Sequence, residues 1–149
     1  MTRLLSLLVP LVSIGYANAA EPQDHKKPSR EVVAMDGTWE FVSAELGGQK
    51  LPDAALKTMT LVLDGGKYTV KSAGPEDKGT VTTDATKTPK SMDVSGEEGP
   101  NKGKTFPAIY EHDGDTLKIC YDLEGKKRPT EFKSAPETKQ FLAVYKRKK

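Results

Sequence analysis

Thr60-Leu61-Val62-Leu63-Asp64-Gly65-Gly66-Lys67-Tyr68-Thr69-Val70-Lys71 alternates in polarity on both sides of a glycine pair. With Gly65-Gly66 as a two-residue turn, Leu63 faces Tyr68 and Leu61 faces Val70, while Val62 faces Thr69 and Thr60 faces Lys71. One side of this hairpin is apolar throughout. A slip of one residue would mix the two faces, so the pattern specifies its own pairing. A second stretch, Phe106 to Tyr121, repeats the logic around Asp113-Gly114. That turn predicts Tyr110 opposite Leu117, Ala108 opposite Ile119 and Phe106 opposite Tyr121, with Glu111 facing Thr116 and Ile109 facing Lys118. Consecutive antiparallel strands with one dry and one wet face are the material of an up-and-down barrel.

Outward from these hairpins, short alternating runs recur over 38–46, 59–64, 67–72, 78–83, 91–94, 104–112, 115–123, 130–133 and 141–147, separated by Gly, Pro, Asp and Asn clusters. The helical signal is Asp53-Ala54-Ala55-Leu56-Lys57 after Leu51-Pro52, between strands one and two. The expected fold is all-β: a small antiparallel barrel of about eight strands with one short helix.

Ahead of the barrel, Arg3, the apolar stretch Leu4 to Ile14 and Ala17-Asn18-Ala19 match an export signal over residues 1–19. Its apolar run is shorter than the roughly 20 residues of a membrane-spanning helix. The expectation is cleavage, no membrane anchor afterwards, and a periplasmic or extracellular protein. Residues 20–35, with Pro22 and Pro28, read as a flexible linker, and 36–149 as one domain. The chain carries 23 basic and 21 acidic residues, both signs interspersed, and its basic clusters lack interleaved aromatics. Nothing in that balance favours a nucleic-acid partner.

Gly37-Thr38-Trp39 heads the first strand and Tyr145-Lys146-Arg147 ends the last. A Gly-x-Trp with a basic closing residue resembles the lipocalin barrel, in which the cation lies over the indole; Gly37, Trp39 and either Lys146 or Arg147 would form that closure. The loop where ordinary lipocalins carry Thr-Asp-Tyr reads Glu111-His112-Asp113-Gly114, so receptor contacts of that loop are not carried over. The stretches GTWEFVSAELGGQKLPD (37–53), TMTLVLDGGKYTV (58–70), GPNKGKTFPAIYEHDGDTLKICYD (99–122) and GKKRPTEFKS (125–134) resemble a secreted lipocalin-like domain family of unknown function, abundant in planctomycete bacteria. The resemblance implies a small lipocalin-type (calycin-type) barrel and transfers no catalytic residue.

Catalytic chemistry finds little footing. His25 falls in the linker, and His112 has only Asp113 and Asp115 beside it, too few for a zinc site. No Gly-x-Ser-x-Gly is present, and a nucleophile would depend on His112 in a turn. The expectation is a protein that is not an enzyme, with no cofactor and no metal. Cys120, the sole cysteine, points away from the apolar face and reads as an inert, partly covered thiol, or as a reactive one should Lys118 lower its pKa. Trp39, Phe41, Tyr68, Phe106, Tyr110, Tyr121 and Phe132 are expected inside. Of these, Phe41, Tyr68, Phe106, Tyr110, Tyr121 and Phe132, with Arg128 at the mouth to receive an anionic head, are the candidate ligand-binding residues. The leading function is binding of a small hydrophobic or amphiphilic molecule, gated by Leu51 to Lys57. The alternative is a solidly packed envelope module that contacts protein or polysaccharide through its surface loops, notably Ser95 to Lys104.

Overall fold

The computed structural model describes residues 29–149, so the export signal and residues 20–28 of the expected linker lie outside the described residues. The strands are β1 (Gly37–Leu46), β2 (Gln49–Lys50), β3 (Thr60–Asp64), β4 (Lys67–Lys71), β5 (Asp77–Asp84), β6 (Lys90–Glu98), β7 (Thr105–Asp113), β8 (Thr116–Asp122) and β9 (Gln140–Arg147). Helices α1 (Arg30–Ala34) and α2 (Asp53–Leu56) precede β1 and β3. β1 pairs antiparallel with β3, each strand from β3 to β8 pairs antiparallel with the next, and β1 also pairs with β9, closing eight strands into a barrel with β2 as a flap on β1. The fold is the small antiparallel all-β barrel that the alternation predicts, and it fits the lipocalin-like type that the resemblance implies.

In the first hairpin every predicted partner is observed, from Leu63 opposite Tyr68 to Thr60 opposite Lys71. The second is displaced by two residues: Tyr110 faces Ile119, Ala108 faces Tyr121, Glu111 faces Lys118, Ile109 faces Cys120 and Asp113 faces Thr116. Gly114, at φ +57°, takes the first turn position, so the turn centres on Gly114-Asp115 and not on Asp113-Gly114. An even displacement leaves every side chain on its predicted face. The strand expected at 130–133 does not form, because β8 and β9 pair directly with each other over seven positions and leave no edge for it.

The inner face holds the core, from Trp39, Leu61, Leu63 and Tyr68 to Ile119, Ala143 and Tyr145. A bulge between Phe41 and Ser43 turns Val42 outward, 55% exposed, and lets Phe41 and Ala44 both point in. One end is shut. There α1, capped by the Ser29 hydroxyl, buries Val32 and Met35 against the core. Residues 30–35 are therefore a plug and not the tail of a linker; Val32 and Met35 supply the apolar surface that docks them. Trp39 Nε1 donates to the Met35 carbonyl at 2.9 Å, and the Arg147 guanidinium lies 4.4 Å from the indole centroid. Arg147 also donates to the carbonyls of Asp36 and Ala34 and pairs with Asp115. Lys146, one residue away, faces solvent, so the closing cation is Arg147. Gly37 sits at φ +139°, and a Cβ there would come within 2.7 Å of Arg147 Nη1, which fixes glycine at this corner.

The long β8–β9 connection, residues 123–139, folds over the outside of the barrel. Arg128 Nη1 donates to the carbonyls of Met92 and Ala108, each at 2.8 Å, and Nη2 pairs with Asp93 at 2.7 Å. Cys120 and Ile109, both outward-facing, are buried; the Cys120 thiol donates to the Lys133 carbonyl at 3.4 Å. The segment starts from the Asp122 carboxylate, which accepts the amides of Glu124, Lys126 and Lys127.

Candidate functional site

The end of the barrel opposite α1 holds a cavity of about 320 Å³. Its deep wall is Leu61, Leu63, Val81, Met92, Val94 and Ile119, all inward positions of the alternating strands. Nearer the rim stand Phe41, Val70, Phe141, Leu123, and, from the segment around α2, Leu51 and Met59. These rim residues are part-exposed, and Leu46 beside them is 41% exposed. The opening is thus edged with hydrocarbon, which water wets poorly.

Two polar features interrupt the apolar wall. Tyr121 and Tyr145 share a hydrogen bond at 3.0 Å between their hydroxyls, and the Tyr145 ring meets Phe41 edge-on at 4.6 Å. Burial raises the phenol pKa of both. On the other side Tyr68 donates to Asp77 Oδ1 at 3.3 Å, and Asn101 Nδ2 donates to Asp77 Oδ2 at 2.7 Å. Burial first, then the neighbouring Asp77 charge, pushes the Tyr68 phenol well above its ordinary value, so it is a donor at any physiological pH.

Glycine builds this second feature. Gly79 faces Tyr68 across β4 and β5; a Cβ there would fall 2.7 Å from the Tyr68 ring and 1.9 Å from the Ser95 carbonyl. Gly96 leaves room for the backbone of Asn101, whose carbonyl would lie 2.0 Å from an added Cβ. Gly99, at φ +89°, brings the turn against the Glu76 carbonyl. The Ser95 to Lys104 stretch is accordingly knitted down by bonds from the Gly96 amide to Lys104 and from the Gly103 amide to Gly96, with Asn101 turned toward the cavity.

Of the residues expected at the site, Phe41, Tyr68, Phe106 and Tyr121 line the cavity. Tyr110 is fully buried near the shut end, where it donates to Glu31 at 3.3 Å; burial and that carboxylate push its pKa up to about 12. Arg128 and Phe132 are not on the wall. Arg128 spends its donors on the outer face, and Phe132, expected inside, lies out there with the Lys118 ammonium 5.3 Å from its ring. Their strand never forms, so the alternation that pointed Phe132 inward has no sheet to act on. Asp77, Asn101, Met59, Leu123, Phe141 and Tyr145 line the cavity without having been singled out from sequence. Gly79, inside the strand-like run at 78–83, was the available signal, since a glycine there marks a close approach of other groups.

The groups weighed for catalysis are otherwise engaged. His112 Nε2 lies 2.9 Å from the Gly114 carbonyl, and its ring meets Trp39 edge-on at 5.9 Å. Burial raises the Cys120 thiol, which disfavours the thiolate. Among the described residues no three His, Cys, Asp or Glu side chains converge as a metal site would require.

No family model matches the chain, and no curated protein does. A solved structure, that of a DUF4847 family protein from Bacteroides vulgatus, is similar with a TM-score of 0.49 at 15% identity, over 80% of this chain and 96% of that one.

Proposed function

We propose that the protein is an exported, lipocalin-like carrier that holds a small hydrophobic or amphiphilic molecule in the open end of its barrel, and that it binds without catalysing a reaction. The observation that carries this reading is the cavity: about 320 Å³, apolar on most of its wall and open at a hydrocarbon rim. That volume falls within the roughly 300–1,000 Å³ range of ligand pockets. Export is supported by the signal pattern of residues 1–19, and the carrier role by the lipocalin-like and planctomycete-type stretches quoted above. The carrier is preferred to an envelope module acting through Ser95 to Lys104, because that loop turns Asn101 inward and is tied to its own strand.

Saturable enhancement of N-phenylnaphthylamine fluorescence tests the proposal. The expected result is binding at one site per barrel, lost when Val81→Trp fills the cavity and retained when Val42→Thr alters the outer face. Absence of saturable binding, or binding indifferent to Val81→Trp, would overturn it.

A further inference from the structure

The geometry points to a ligand with a cationic amine head: Asp77, held at the cavity wall by Tyr68 and Asn101, selects it over a carboxylate. This rests on the carrier reading and adds the chemical class.

Among the described residues that line the cavity, Asp77 is the one charged group, and no lysine, arginine or histidine shares the wall. Nor does any lysine or arginine among the described residues ion-pair with it. Its two oxygens accept one neutral donor each, Tyr68 Oη and Asn101 Nδ2, which leaves lone pairs unused and the charge uncompensated. Both donors orient the carboxylate without neutralising it. Gly79, Gly96 and Gly99 each vacate space that brings these partners together, so the arrangement belongs to the packing of the barrel and not to a chance meeting of surface side chains.

The wall around Asp77 suits the same head group. Aromatic rings of Phe41, Tyr68, Phe106, Tyr121, Phe141 and Tyr145 line the cavity, and ring faces attract cations. A ligand carboxylate would meet a like charge in an apolar enclosure with no cation to receive it, which is disfavoured. Arg128, the cation that would have reversed this preference, is committed to Asp93 and two backbone carbonyls outside the barrel.

Competition against N-phenylnaphthylamine, with dodecylamine, dodecanol and dodecanoate at neutral pH below their micelle concentrations, tests the inference. Dodecylamine is expected to displace the probe at about tenfold lower concentration than dodecanoate, as one added charge-assisted hydrogen bond implies. Dodecanol is expected between them. Asp77→Asn, with displacement referred to that variant's own probe affinity, should bring amine and carboxylate to within about twofold of each other. Dodecanoate displacing the probe as well as dodecylamine, or a gap that persists in Asp77→Asn, would overturn the inference and leave the carrier reading standing. Failure of the probe to bind wild-type protein would remove both.

Discussion

Replacing Arg147 by alanine is expected to loosen the shut end of the barrel by about 3 kcal/mol. The side chain donates to the Asp36 carbonyl in a part-buried setting and lies 4.4 Å over the Trp39 ring. A charged donor on a carbonyl contributes about 2 kcal/mol net and the cation over indole about 1 kcal/mol. Its bonds to Ala34 and Gly114 and its pair with Asp115, 51% exposed, are wet and are counted near zero. For a domain of this size that loss lowers Tm by about 10–15 °C. Urea unfolding followed by the emission of Trp39, the one tryptophan, measures the difference directly. Arg147→Lys keeps the charge over the ring but loses the planar fork that reaches several carbonyls, so it should lose about 1–2 kcal/mol. A loss below about 1 kcal/mol in Arg147→Ala, or a lysine variant as stable as wild type, would refute the reasoning.

Gly79→Ala places a methyl 1.9 Å from the Ser95 carbonyl and should cost about 1–3 kcal/mol while weakening probe binding, read by urea titration and fluorescence. Cys120, buried and with its thiol pKa raised, should react with a maleimide on the order of a hundredfold more slowly in native protein than in urea; rapid native labelling would contradict its placement. Acid should destabilise the fold through two carboxylates whose pKa values are depressed. Glu31 is lowered chiefly by its hydrogen bond to Lys90; for Asp122 burial acts upward, but the amides of Lys127, Glu124 and Lys126 outweigh it. Groups of this kind contribute fully above their unfolded values and lose that contribution as pH falls through the folded ones, so stability should drop from about pH 4 downward. Glu31→Gln combined with Asp122→Asn should flatten urea midpoints across that window, and an unchanged slope would count against the assignment.

The alternation in the chain was enough to place most inward side chains, because a pleated strand allows only two faces. Tyr110 and Ile119 fell on the correct side even though their partners were shifted by two, since period-two patterning cannot distinguish registers of equal parity. The turn glycine resolved what the pattern could not. Phe132 went astray for a different reason: closure of β8 onto β9 is a property of the whole ring, and no local run announces that the last edge is taken. The α1 plug was missed because a five-residue helix has almost no periodicity to read, and its stability comes from burying Val32 and Met35 against the barrel core. Asp77 and Asn101 are 24 residues apart, and only the folding of the turn after β6 makes them neighbours.

Ser29 and the carboxyl end of the chain share a pole. Ser29 meets Thr83 there at 3.2 Å, and the Lys148 amide bonds the Thr38 carbonyl at 2.8 Å, both at the plugged base beneath the Trp39 cap. Anything joined to the carboxyl terminus, whether an affinity handle, a fused fluorescent partner or a bead surface, therefore hangs behind the vessel and leaves the aperture facing outward.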